Sequence, residues 1–249
     1  MFKNLIALLL LGVLPAPAQT ILVHGHRGAR ASRPENTIPA FQFAIDHKTD
    51  GLELDVAVTK DNVLVVSHSP YLVQPEGDTP FLKAVLANER HCSGPALPAG
   101  TFIHDVTLAQ LRQYDCGATT LTAFPQQVAV PHSGIPTLDE VLDLAPKGSF
   151  DFNIETKIMR TKPEITPTPE VFVQMIDQAI RRHHLQSRVI LQSFDFRTLH
   201  AMKQIDPEIR LSALFGQAKY DKLMGITDPD KSFVHIAEVA GLSKGDFLS

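Results

Sequence analysis

Glu53 and Asp55 are separated by a single residue in the run Gly51-Leu52-Glu53-Leu54-Asp55-Val56-Ala57-Val58. Its alternation has the period of a β-strand, so the two carboxylates share one face and Leu52, Leu54 and Val56 the other. Carboxylates held side by side repel each other unless a cation lies between them. A donor set of hard oxygens selects Mg2+ or Ca2+ over zinc. Taken alone, the pair is more simply a solvent-facing acidic strand edge.

The next run changes that balance. Only Lys60, Asp61 and Asn62 separate it from Val63 to His68. A parallel crossover needs a dozen or more residues, so the two runs form an antiparallel hairpin. A turn centred at Asp61 puts His68 opposite Leu54 or Asp55. A histidine beside a cation is suited to acid or base work near neutral pH. A third strand, Phe152-Asn153-Ile154-Glu155-Thr156-Lys157, gathers Asn153, Glu155 and Lys157 on one face. Glu155 would complete a three-carboxylate cation site, and Lys157 would meet an anionic substrate. For each, a surface salt bridge is the alternative. Glycines flank His26-Arg27, which lets backbone approach a ligand closely. Arg27 offers a planar fork for phosphate oxygens. An ordinary turn is the other account of this short motif.

Regular elements must hold these groups in place. Ile21 to Val23 reads as a short strand, and Ile38 to Ile45 as a helix capped by Thr37. Residues 70–130 are rich in Pro and Gly and weakly periodic, apart from a short helix at Thr107 to Tyr114. They read as an insertion between strands. Thr137 with Glu140 forms a capping box. Strands follow at Ser149 to Thr156, Arg188 to Ser193 and Ile209 to Phe215. Helices at Pro169 to His184 and Phe196 to Ile205 separate them, and a seventh strand begins at Asp246. This alternation predicts an α/β protein with a mainly parallel sheet, for which the (β/α)8 TIM barrel is the natural form. The sequence stops where that seventh strand begins, so the expected barrel is truncated, open, or closed with fewer strands.

The ordered set of these motifs resembles the glycerophosphodiester phosphodiesterase family, a group of PLC-like phosphodiesterase barrels. The match runs through His26-Arg27-Gly28, Pro34-Glu35-Asn36-Thr37, Glu53-Leu54-Asp55, Thr59-Lys60-Asp61 and His68. It continues in Ile135-Pro136-Thr137-Leu138-Asp139-Glu140-Val141-Leu142, Asn153-Ile154-Glu155-Thr156-Lys157 and Gln192-Ser193-Phe194. The resemblance implies hydrolysis of small glycerophosphodiesters to glycerol 3-phosphate and an alcohol. It implies that His26 and His68 form the acid/base pair, that Glu53, Asp55 and Glu155 hold a divalent cation, Ca2+ or Mg2+, and that Arg27 and Lys157 contact the phosphate. Glu35 supports the site, at the metal or one shell out. Two departures stand out. Ser69 occupies a position that is usually acidic in the family, and the chain has no tryptophan, whereas the family carries a Trp motif near its C-terminal end. The rival activities are a phospholipase D-like or sphingomyelinase D-like lipid diesterase and a non-catalytic barrel that binds without turnover. No obvious exposed aromatic patch is evident, which favours a soluble substrate.

The formal net charge of -4 gives none of the basic excess of a nucleic-acid binder. Lys3, the apolar run Leu5 to Leu14 and Ala16-Pro17-Ala18 follow the order of a signal peptide. We therefore expect a signal peptide at 1–18, a barrel domain at 19–249, secretion or periplasmic export, and no stable membrane insertion after cleavage. Cys92 and Cys116 either pair in an oxidising compartment or remain buried thiols. His24 reads as support for His26. His47, His91, His104, His132, His183, His184, His200 and His235 have no carboxylate partner that the sequence can place, and read as structural or surface residues.

Overall fold

The computed structural model describes residues 21–76, 88–160, 162–216, 236–242 and 246–248. The expected signal peptide at 1–18, His235 and part of the insertion lie outside them. No helix among the described residues is long and apolar enough to cross a membrane.

Six strands form a consecutive parallel run. They are β1 (His24–Gly25), β2 (Gly51–Val58), β4 (Asp151–Thr156), β5 (Val189–Ser193), β6 (Arg210–Ala213) and β7 (Phe247–Leu248). Strand β3 (Leu64–Val66) pairs antiparallel on β2, with Val56 opposite Val66. Consecutive order with a helix between successive strands is the wall of a (β/α)8-type barrel. The seventh strand stands where the sequence predicts it, and the Asp246 carboxylate just before it accepts from Leu211 N at 2.8 Å.

The helices begin where local chemistry starts them. Helix α1 (Ile38–Asp46) is capped by Thr37, whose hydroxyl accepts from Ala40 N. Helix α2 (Leu108–Leu111) and helix α3 (Leu138–Leu142) both open with capping boxes, from Thr107 with Gln110 and from Thr137 with Glu140. Helix α4 (Pro169–Arg182) starts with Pro at its first position, and α5 (Phe196–Ile205) is capped by Asp195. Their buried faces carry Phe41, Phe172, Ile176, Leu199 and Met202. These pack on the outward residues of the strands, among them Leu52, Leu54, Phe152, Ile154 and Leu191. The apolar half of each strand is thus spent on the helical layer. The other half, including Glu53, Asp55 and Glu155, is left to the barrel interior.

The expected strand at Ile21 to Val23 is a correction. These residues are 83, 55 and 56% exposed, and the ladder starts only at His24, opposite Gly51. Val23 O accepts from Asp50 N at 2.8 Å and Gly51 N at 3.2 Å, but upstream of these the chain turns through Lys48 at φ 59°, so residues 21 and 22 have no strand beside them to extend the ladder.

The described parts of the excursion, 70–76 and 88–130, are largely irregular apart from α2 and a short turn of helix at Ile103–Asp105, and they have a core of their own. Leu72, Ile103, Val106, Leu111, Tyr114 and Cys116 pack with Val65 and Ala57, on the same face of the hairpin as Glu53 and Asp55. Cys92 and Cys116 are disulfide-bonded across a sequence separation of 24. A loop of about 25 residues closed in this way contributes about 3 kcal/mol by restricting the unfolded chain. Reducing the bridge is therefore expected to lower the melting temperature by about 6–12 °C, at roughly 2–4 °C per kcal/mol for a domain of this size. Thermal melts with and without reductant check this, and a coincident pair of melts would contradict it.

Candidate active site

The sheet register assembles the carboxylates. Strand β4 lies beside β2 with Asn153 opposite Glu53 and Glu155 opposite Asp55, and Gln192 on β5 lies opposite Glu155. Side chains at one level of a parallel barrel point the same way, so these polar residues converge inside its mouth. Glu53, Asp55 and Glu155 are all buried, and one oxygen from each lies within 4.8 Å of the others. Two oxygens bound to one Ca2+ at about 2.3–2.6 Å can be no more than about 5 Å apart. The three residues therefore fit a divalent cation, and the all-oxygen set suits a hard one.

Charge around the cluster follows from burial. Burial first, then Asp55 and Glu155, pushes the Glu53 carboxyl well above its ordinary pKa. Glu155 is also raised, by burial and by Asp55, against the pull of Lys157. Asp55 goes the other way. Burial is the largest single influence and pushes it up, but Lys157, His68, Arg27 and the Asn36 amide together outweigh it and hold the carboxyl below the usual range. The Lys157 ammonium lies 2.9 Å from Asp55 Oδ1 and 2.5 Å from Glu155 Oε1. Burial opposes its charge, and the two carboxylates override that and raise its pKa.

The turn after β1 supplies the cationic side. Gly28 has φ 83°, and a Cβ there would lie 2.9 Å from the Ala40 backbone, so only glycine closes the turn against α1. Arg27 and Asn36 take φ of 51° and 53° without being glycine. Such conformations cost roughly 1–3 kcal/mol each and persist where surrounding contacts enforce them. Two contacts enforce them here: Arg27 N donates to Glu53 Oε2 at 2.6 Å, and Asn36 Nδ2 to Asp55 Oδ2 at 2.8 Å. The Arg27 guanidinium lies 2.9 Å from Glu35 Oε1 and 3.6 Å from Asp55 Oδ2. Glu35 also holds Arg30 at 2.9 Å, so it sits behind the arginines rather than among the three converging carboxylates.

The histidines flank the cluster. His26 Nε2 is 3.9 Å from Glu53 Oε2. Partial burial, then the Arg27 and Arg30 charges, hold its pKa below the ordinary value. The hairpin register continued from Val56 and Val66 puts His68 opposite Leu54, one of the two expected positions. His68 lines a cavity of about 470 Å³ with Glu155, Lys157, Ile158, Met159 and Phe194. Phe194 is 62% exposed at that cavity, a single exposed aromatic side chain beside the site. Its register position at the end of β5 turns it out of the packed layer, a fact of tertiary placement that a lone Phe in a string does not carry.

All eight expected site residues are brought to this mouth. The sequence reading missed the groups that tie them together. Gln192 Nε2 donates to Glu53 Oε1 at 3.0 Å and Gln192 Oε1 accepts from Asn153 at 3.0 Å. Asn36 and Gln192 lay within the recognised motifs without an assigned role. Glu89, 3.1 Å from His68 Nδ1, and Arg90 lie in the excursion, where no spacing pointed to them. Ser69 makes its contacts with Tyr71 N, Gln74 and Ser67. His183, for which the sequence could place no carboxylate partner, lies 2.9 Å from Asp139 and 3.6 Å from Asp143, because α3 packs beside the end of α4.

Asp195 marks the rim. It caps α5 and pairs with Arg197 at 2.6 Å and Arg160 at 3.1 Å, and these bonds, Arg197 first, lower its pKa to about 2. A depressed carboxyl stabilises the fold above its unfolded value and loses that effect as pH falls through the folded one. Both arginines are largely exposed, so screening reduces the contribution to about 1 kcal/mol. Asp195→Asn, which keeps a capping oxygen, is expected to melt lower than the parent near neutral pH. The gap should narrow below 3.8 and close near 2. Paired melts across pH check this, and a gap independent of pH would refute it.

Residues 26–244 match the model of the Glycerophosphoryl diester phosphodiesterase family. A glycerophosphodiester phosphodiesterase from Caldanaerobacter subterraneus subsp. tengcongensis is 32% identical over 194 residues, 78% of this chain and 66% of its own. The chain spans 57% of the length of another such relative, from Bacillus subtilis, at 30% identity over 76% of this chain. A crystal structure from Silicibacter pomeroyi carrying the same family name superposes with TM-score 0.67 at 26% identity, over 80% of this chain and 66% of that one. An Oleispira antarctica phosphodiesterase, solved with the product sn-glycerol-3-phosphate, shares the fold at TM-score 0.59 and 20% identity, over 92% of this chain and 83% of its own.

Proposed function

This chain belongs to the glycerophosphoryl diester phosphodiesterase family, and from that premise we propose that it hydrolyses glycerophosphodiesters to glycerol 3-phosphate and an alcohol. The observation that carries the proposal is the convergence of Glu53, Asp55 and Glu155 between His26 and His68. In this reading the three carboxylates hold a divalent cation, Ca2+ or Mg2+, which when bound neutralises charge on the phosphate oxygens. Arg27 and Lys157 orient the diester and share its charge. Glu35 keeps the Arg27 guanidinium in place. One histidine takes a proton from the attacking hydroxyl, which belongs to water or to the adjacent glycerol carbon; in the second case a cyclic phosphodiester forms, and water then opens it to glycerol 3-phosphate. The other gives a proton to the departing alcohol oxygen.

The test is release of glycerol 3-phosphate from glycerophosphocholine by the purified chain, before and after chelation and with each ion restored. Activity that survives thorough chelation sinks the metal assignment, and no release under any ion sinks the activity. A lipid diesterase on the same barrel draws support from the exposed Phe194 at the cavity. Faster turnover of lysophosphatidylcholine micelles than of glycerophosphocholine would favour it. We also propose an exported location, supported by the order of residues 1–18 and by the Cys92–Cys116 bridge, since disulfides persist in oxidising compartments. Fractionation of cells expressing the full chain tests this.

A further inference from the structure

His68 is held from behind by a residue of the excursion. Glu89 Oε2 lies 3.1 Å from His68 Nδ1, and its side chain is 15% exposed. Glu89 belongs to no helix or strand, so its position needs a cause. Arg90 provides one: its Nη1 donates to Glu35 O at 2.9 Å and its Nη2 to Ser67 Oγ at 2.9 Å. The guanidinium thus ties the excursion both to the Glu35 turn and to the residue that precedes His68. Two residues further on, Cys92 is bonded to Cys116, and Ser93 exchanges backbone hydrogen bonds of 2.8 Å with Asp115. A segment clamped at these points presents Glu89 at a fixed place.

We infer that Glu89 is a positioning residue for His68, selecting the ring tautomer and orientation that leave Nε2 to exchange a proton with the reacting groups. An ionised carboxylate only accepts hydrogen bonds, so the proton on the facing ring nitrogen resides on Nδ1. Burial pushes the Glu89 carboxyl up, but the bond to His68 and the charges of His68 and Arg27 outweigh it and keep it below its ordinary value. When Nε2 accepts a proton, the ring becomes cationic and Glu89 stabilises it without being protonated itself. The inference rests on the proposed role of His68 in acid–base chemistry.

Three measurements test it. Glu89→Gln should lower kcat on glycerophosphocholine about 10- to 100-fold, the scale for losing a group that orients a functional side chain, with KM and melting temperature unchanged. Glu89→Asp should recover part of the loss. In a His68→Ala background, Glu89→Gln should cost nothing more, because residues that act as one unit are not additive. Nitrogen resonances of the His68 ring, read where the ring is neutral, should show the Nδ1-protonated tautomer in the parent and lose it in Glu89→Ala. Near-parental kcat in Glu89→Gln, an additive loss in the double variant, or an unchanged tautomer would each overturn the inference. Should the parent hydrolyse no glycerophosphodiester, the proposed function fails on its own, and the ring tautomer still decides whether Glu89 positions His68.

Discussion

Glu155→Gln is expected to lower kcat/KM by about 1000-fold, corresponding to roughly 4 kcal/mol of transition-state stabilisation. Glu155 is one of three buried carboxylates whose oxygens lie within 4.8 Å, and its neutral amide keeps the shape while removing one negative charge. The same change should leave the chelated protein at least as stable as the parent, because it relieves repulsion among the carboxylates. It should also abolish any rise in melting temperature on adding Ca2+ or Mg2+, since a ligand stabilises only the state that binds it. Kinetics and melts with and without each ion separate these effects. A variant that keeps both its turnover and its ion-dependent melting shift would show that the cation lies elsewhere.

His26→Ala and His68→Ala should each lower kcat by about 1000-fold, within the usual range of roughly 10²–10⁴ for a positioned acid or base. Binding should change far less, because the diester is held by Arg27, Lys157 and the cation site rather than by the rings. The two histidines sit in unlike settings. His26 is 59% exposed in its side chain, 3.9 Å from Glu53, while His68 is 28% exposed and backed by Glu89. A substrate whose leaving group needs no proton should therefore rescue one variant more than the other, and that asymmetry identifies the acid. If both variants keep near-parental turnover, the paired-histidine mechanism fails.

Much of the site was legible because its residues lie on strands. Alternation alone put Glu53 and Asp55 on one face, and a turn too short for a crossover put His68 beside them. The structure has that register, with Val56 opposite Val66 and Ser67 N donating to Asp55 O at 2.8 Å. Helix starts at Thr37, Thr107 and Thr137 were legible for the same reason, since a cap acts within a few residues of itself. The strand expected at Ile21 to Val23 failed because pairing depends on where the partner begins, and β2 begins at Gly51.

The sequence by itself determined the inward row of carboxylates, the hairpin that carries His68, the alternation of a barrel and the resemblance that names its chemistry. Each depends on neighbours along the chain or on motifs in order. Only the tertiary structure decided that Glu35 backs the arginines, that Gln192 joins Glu53 to Asn153, that Cys92 bonds Cys116, and that Glu89 meets His68. These contacts join residues far apart in sequence or lying in irregular backbone, where no repeat of 2 or 3.6 fixes the direction of a side chain. Glu89 stands 21 residues from His68 in a stretch without periodicity, and it is brought there by the half-buried Arg90 and the disulfide rather than by any local preference.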